Sequence, residues 1–145
     1  MENDNERSNT FFRFEDLRIY HKAIKYAKWV NESTKKHVNN HQNVLVEKFN
    51  HAANSIALNI AEGSARNKSQ FIYYLKMAKS AVRESLVYTS IMHQLEYFDD
   101  REEEESRNQL MEMTKMTGAL ISSLQRSSRM EEQDDSYPGD EMPAD

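Results

Sequence analysis

The chain has 145 residues, of which 38% are hydrophobic and 30% charged, with 3 Gly, 2 Pro, no Cys and a formal net charge of −5. So few turn formers exclude a β-sandwich, barrel or propeller. The lack of cysteine excludes a disulfide scaffold, a thiolate metal site and a cysteine nucleophile.

Both prolines, Pro138 and Pro143, lie near the end, so nothing before them interrupts a helix. No apolar run approaches the roughly 18 residues of a membrane span. The polar start MENDNERSNT is unlike a signal peptide, and a soluble, cytoplasmic, all-α chain is expected. Charge is uneven along it. Residues 11–98 carry 13 Lys and Arg against 7 Asp and Glu, a net +6, whereas residues 99–105 sum to −5 and residues 130–145 to −7.

Residues 1–12 are expected to be disordered. A first helix is predicted over about residues 15–37, with Leu17, Tyr20, Ile24, Ala27, Val30 and Thr34 as its buried face and Glu15 and Asp16 in its first turn. The polar run 37–43 reads as a loop. A second helix, about 43–64, buries Leu45, Phe49, Ala52, Ala53, Ile56 and Ile60, and Gly63 is expected to end it in a left-handed conformation. A third helix starts at Asn67–Ser69 and runs to about 97, with Phe71, Leu75, Ala78, Val82, Ser85, Thr89 and Met92 on its seam. The fourth is predicted to start with Asp100 as N-cap and Glu103 as capping-box partner. It buries Leu110, Met113, Thr117, Leu120, Ile121 and Leu124 before stopping near 127. Together these make an up-down-up-down four-helix bundle over residues 13–128. Residues 129–145 have no periodic apolar face and are expected to form a disordered acidic tail.

Catalytic chemistry is not evident. A di-iron bundle needs two Glu-x-x-His motifs, and the nearest approach is the single pair Glu47 and His51. His21, His37, His41, His51 and His93 are scattered, and there is no phosphate loop, nucleophile elbow or zincin signature. No catalytic residue, metal site or cofactor is expected. A polar cluster is expected instead around the turn between the second and third helices. It comprises Asn59, Glu62, Arg66 and Glu84, with Arg66 pairing with Glu62 or reaching Glu84.

Two basic stripes are candidates for nucleic-acid contact. The first helix presents Arg18, Lys22, Lys25 and Lys28 beside Trp29; the third presents Lys76, Lys79 and Arg83, with Lys68 and Tyr73 one or two turns earlier, and Lys48 lies on the second. Cations interleaved with aromatic rings suit phosphate contact plus base stacking. A competing reading is a scaffold that binds a partner protein. Ile19, Tyr26, Trp29, Leu58, Ile72, Tyr74 and Val87 lie off the predicted stripes and are candidates for contacts between copies. The acidic tail is a candidate competitor for a basic surface.

Several of these residues also carry a family resemblance. Phe14-Glu15-Asp16-Leu17, then Ser55-Ile56-x-x-Asn59-Ile60-Ala61-Glu62-Gly63 followed by Arg66, and Phe71-x-x-x-Leu75-x-x-Ala78-x-Ser80-x-x-x-Glu84 resemble the bacterial four-helix-bundle proteins encoded in intervening sequences of 23S ribosomal RNA. The resemblance spans about residues 13–125. It implies a homo-oligomer, a five-fold ring, and kinship with accessory bundle proteins of diversity-generating retroelements, which work with a reverse transcriptase and nucleic acid. Asn50-His51 stands where that family usually has two arginines, Ala57 where proline is common, and Lys79-Ser80 where Gly-Ser is usual.

Overall fold

The computed structural model describes residues 13–38 and 43–141, with side chains described for residues 14–38 and 44–131. The segment 1–12 expected to be disordered, most of the loop including His41, and residues 142–145 lie outside the described residues. A short 3-10 turn at Arg13–Asp16 leads into α1 (Arg18–Thr34), and a second at Lys35–His37 follows it. Then come α2 (Asn43–Ser64), α3 (Lys68–Gln94) and α4 (Asp100–Glu141). Consecutive helices pack side by side and α4 closes against α1, while the backbones of the diagonal pairs stay farther apart across the core. This is the square of an up-down-up-down bundle. Its tightest pair is α2–α3 and its loosest is α1–α4.

The periodicity of α2, α3 and α4 is realised in the core. Phe49, Ala53, Ile56 and Ile60 of α2 meet Leu75, Ala78, Val82 and Met92 of α3 and Leu110, Met113 and Ile121 of α4. Burying each large apolar side chain contributes about 1.5–3 kcal/mol. The small buried residues Ala52 and Ala53 of α2 and Ala78 and Ala81 of α3 allow the α2–α3 pair to come close.

Gly63 is part of this close approach, and it does not end α2 by a left-handed turn. Among the described residues no glycine has a positive φ, and Gly63 lies inside the helix. A Cβ built there would sit 2.6 Å from Tyr74 Cβ and 2.9 Å from Phe71 Cδ1. Glycine is required by space. The turn beyond is short: Arg66 N–H donates to the Gly63 carbonyl at 3.0 Å, and Asn67 caps α3 by accepting from Gln70 N–H at 2.9 Å.

The buried face of α1 differs from the predicted one. Ile19, Ala23, Tyr26, Val30 and Thr34 are buried, whereas Ile24 is 44% exposed. At about 100° per residue the observed face is rotated roughly 70° from the predicted stripe. The reason is Tyr26, whose hydroxyl finds polar partners in the core and whose ring can therefore be wholly buried.

The N-terminus of α4 is also shifted by one residue. Asp99 is the N-cap: its Oδ1 accepts from Glu102 N–H at 2.7 Å, and Glu102 Oε1 accepts from Asp99 N–H at 3.1 Å. This reciprocal capping box leaves Asp100 and Glu103 free to hold His93 on the end of α3. At its other end α4 does not stop near 127; the backbone of the acidic tail is helical through Glu141. No glycine or proline interrupts residues 119–137, and Met130, Glu131, Glu132 and Gln133 are good helix formers. Lys68 also reaches across from α3 to Ser127 and Glu131.

Candidate nucleic-acid interface

Lys76, Lys79 and Arg83 lie three and four residues apart on α3 and so within roughly 60° of one helical face. Lys76 and Arg83 are exposed and Lys79 is half-buried. Among the described residues none of the three has a carboxylate within ion-pair distance. One turn earlier Tyr73 is 58% exposed, its ring edge-on to Tyr74 at 5.3 Å. Tyr73 and Lys76 face Gln125 and Arg129 of α4 across an open groove of about 630 Å³. This surface therefore combines unpaired cations with an accessible ring.

The α1 stripe is different, because α1 packs against the acidic start of α4. Lys22 Nζ pairs with Glu112 at 3.0 Å and Lys36 with Glu102 at 3.3 Å. Lys25 lines the same groove as Glu104, Glu105 and Glu112, and Lys28 stands 4.0 Å from Glu32. Carboxylates this close cancel most of the field that a polyanion would meet. Trp29 is not a free stacking platform either, since it lies near-parallel to Tyr26 at 6.1 Å and edge-on to Phe98 at 5.6 Å. Arg18 is exposed at the start of α1, and Lys48 is exposed on α2 beside Glu47.

The expected polar cluster separates into pieces. Arg66 pairs with Glu62 at 2.5 Å and its guanidinium lies 5.6 Å over the Tyr74 ring. The Glu62 hydrogen bond, with Tyr74 and the Glu62 charge, raises its pKa above the ordinary arginine value. Arg66 does not reach Glu84, which is exposed and has no hydrogen-bond or ion-pair partner among the described residues. Asn59 Nδ2 donates back to the Ser55 carbonyl at 2.8 Å, within its own helix.

The buried polar network lies elsewhere and was missed in the pattern. Tyr26 Oη is 2.8 Å from Ser106 Oγ, which is 2.7 Å from Thr89 Oγ1, and Thr89 donates to the Ser85 carbonyl at 2.8 Å. Each hydroxyl has one proton. Thr89 spends its own on the carbonyl, so Ser106 must donate to Thr89 and Tyr26 to Ser106. Desolvation pushes the Tyr26 phenol up to about 12, against the two hydroxyl contacts, which lower it. The available signal was Ser85 and Thr89 on an otherwise apolar seam. Among the described residues no buried side-chain nitrogen or oxygen lacks a partner.

Three histidines tie segments together. His21 bonds the Glu15 carbonyl at 2.5 Å, and His37 bonds the Tyr97 carbonyl at 3.0 Å. His93 contacts Asp100 through Nε2 at 2.8 Å and Glu103 through Nδ1 at 2.6 Å. Among the residues offered for contacts between copies, Ile19 and Tyr26 are buried in the core. Trp29, Ile72 and Tyr74 are half-buried, while Leu58 (64%) and Val87 (53%) are exposed. Val87 joins Leu86, Ile91 and Leu95 in an almost wholly apolar groove of about 480 Å³ rimmed by Arg107. Among the described residues no helix is long and apolar enough to cross a membrane.

Comparison with known proteins gives two matches of different kinds. In solved structures the fold is similar to a crystal structure of a protein of unknown function from the S23 ribosomal protein family of Bacteroides thetaiotaomicron. The TM-score is 0.64 at 22% identity, covering 72% of this chain and 95% of the other. No curated protein matches the sequence. A family model described as 23S rRNA-intervening sequence protein matches residues 15–119, which take in α1, α2, α3 and about the first half of α4. The chain belongs to the 23S rRNA-intervening sequence protein family.

Proposed function

We propose that the protein is a non-enzymatic binding protein that engages nucleic acid, RNA above all, through the basic face of α3. The observation that carries this reading is the run Lys76, Lys79 and Arg83, accessible and without carboxylate partners among the described residues, next to the exposed Tyr73. Phosphates bind such cations by releasing counterions, and a ring at the edge supports base stacking without sequence readout. Assembly of several copies would array this face and make weak contacts additive.

The test is anisotropy of a fluorescein-labelled single-stranded RNA with the wild type and with K76Q/K79Q/R83Q. If about four phosphates are neutralised, affinity falls roughly 50-fold between 50 and 200 mM salt. The triple variant is expected to lose most of the binding. Equal binding by both proteins would exclude this face.

A second reading is favoured by the apolar groove of Leu86, Val87, Ile91 and Leu95. Under it this surface joins copies of the chain, in a five-fold ring by the resemblance, or docks a partner enzyme such as a reverse transcriptase. V87E would then break the assembly or the partner contact and spare the affinity of Lys76, Lys79 and Arg83 for RNA.

A further inference from the structure

Two grooves open between α3 and α4, an apolar one rimmed by Arg107 and a basic one lined by Tyr73, Lys76, Gln125 and Arg129. They lie on one line. Arg107 and Gln125 are eighteen residues apart, five full turns, and so share a face of α4. Gly118 falls between them, within about 20° of that face. Thr89 meets Ser106 and Lys68 meets Ser127, equal steps along two antiparallel helices, which puts Gly118 level with Met77. It therefore stands across from Lys76 and Lys79. A Cβ at Gly118 would meet nothing within 4 Å, so the α4 wall of the furrow is low at that point. The same stretch is free of negative charge. Residues 68–83 of α3 and 113–130 of α4 contain no Asp or Glu but carry seven Lys and Arg. On α4, Lys115, Arg126 and Arg129 are exposed and have no ion pair among the described residues.

We propose that a single RNA strand lies in the basic half of this furrow, its sugar–phosphate backbone crossing α4 over Gly118 and gripped from the α4 side by Arg129. The proposal rests on the nucleic-acid reading above and adds a second wall to it. Tyr73 shares its groove with Lys76 of its own helix and Arg129 of the other. A base stacked on the exposed ring thus leaves the flanking phosphates within reach of a cation on either wall. Glycine at the crossing lets the strand's backbone approach the helix closely. Packed helix axes stand about 8–10 Å apart, so a duplex is too wide to enter the furrow and rests on its rims.

The experiment fills the furrow without touching a charge, with a fluorescein-labelled single-stranded RNA as probe and the full chain throughout. G118L puts a side chain into the open space, and leucine is the better helix former, so the variant is expected to melt no lower than the wild type. S123L adds the same group at an exposed position about 140° around α4 and is the control for bulk. G118L is expected to bind about tenfold more weakly than S123L, the loss of one charged contact. R129Q is expected to take about 0.7 from the magnitude of the salt slope, one phosphate contact, and R101Q, at the exposed start of α4, none. Equal affinity of G118L and S123L, or equal slopes of R129Q and R101Q, would overturn the proposal. So would an equal loss when an RNA duplex replaces the strand. The α3 face still stands in those cases if K76Q/K79Q/R83Q loses binding, whereas no binding by the wild type would overturn both.

Discussion

Tyr26 Oη lies 2.8 Å from Ser106 Oγ, eighty residues apart in sequence and buried between α1 and α4. The contact fixes which face of α1 turns inward. It also orders the protons in one direction, from Tyr26 through Ser106 and Thr89 to the Ser85 carbonyl. S106A removes both the hydrogen-bonded acceptor of the phenolic proton and the donor to Thr89 and is expected to cost about 1–3 kcal/mol; Y26F leaves only an unused acceptor and is expected to cost about 1 kcal/mol. Urea denaturation of both variants at neutral pH checks the order.

The same pair predicts a pH dependence. The folded protein holds the Tyr26 proton up to about 12 against an ordinary value of 10, so ionisation favours the unfolded chain. Its contribution is intact below pH 10 and is lost as pH rises toward 12, roughly 2–3 kcal/mol over the window. Stability measured across that window should fall more steeply for the wild type than for Y26F.

Gly63 and Gly118 make an internal contrast. A Cβ at Gly63 collides with Tyr74 Cβ at 2.6 Å, while one at Gly118 meets nothing within 4 Å. G63A is expected to destabilise by about 1–3 kcal/mol through overpacking. G118A is expected to stabilise by about 0.5–1 kcal/mol through helix propensity. Thermal melts of the two variants should move in opposite directions.

His93 is predicted to titrate above its ordinary 6.5, because the Asp100 hydrogen bond and the Glu103 and Asp100 charges outweigh its desolvation. Contacts from both ring nitrogens to carboxylates require the imidazolium, since a neutral ring has one N–H. The clamp between α3 and α4 is therefore complete below pH 6.5 and is lost as pH rises through the raised pKa. NMR titration of the His93 ring should give a midpoint above 6.5, moving down in D100N.

Glu96 sits at φ 62°, in the left-handed region, where α3 hands over to the turn before α4. Tyr97 and Phe98 N–H both close onto the Met92 carbonyl, at 2.9 and 3.1 Å, which holds that conformation. E96G should raise stability by up to about 1 kcal/mol, read from the urea midpoint.

The seams of α2, α3 and α4 could be read from spacing, since those helices bury aliphatic and small residues that announce themselves by period. On α1 the spacing misled, because Tyr26 looks like a surface aromatic until Ser106 arrives from another helix. The start of α4 was ambiguous for a local reason: in Asp99-Asp100-Arg101-Glu102-Glu103 both Asp99 with Glu102 and Asp100 with Glu103 fit a capping box. His93 resolves the choice by taking Asp100 and Glu103. Both basic stripes were visible in the sequence, but their difference was not. Only the packing of α1 against the acidic start of α4 separates the paired Lys22 from the unpaired Lys76.

That separation is the centre of the functional account. The most direct test is the slope of log affinity against log salt for single-stranded RNA, in the wild type, in K76Q/K79Q/R83Q and in K22Q/K25Q/K28Q. Each triple variant removes three positive charges. The account predicts that the α3 variant loses about two from the magnitude of the slope, as three lost phosphate contacts require, while the α1 variant stays close to wild type. Equal losses in the two variants, or a larger loss in the α1 variant, would contradict it.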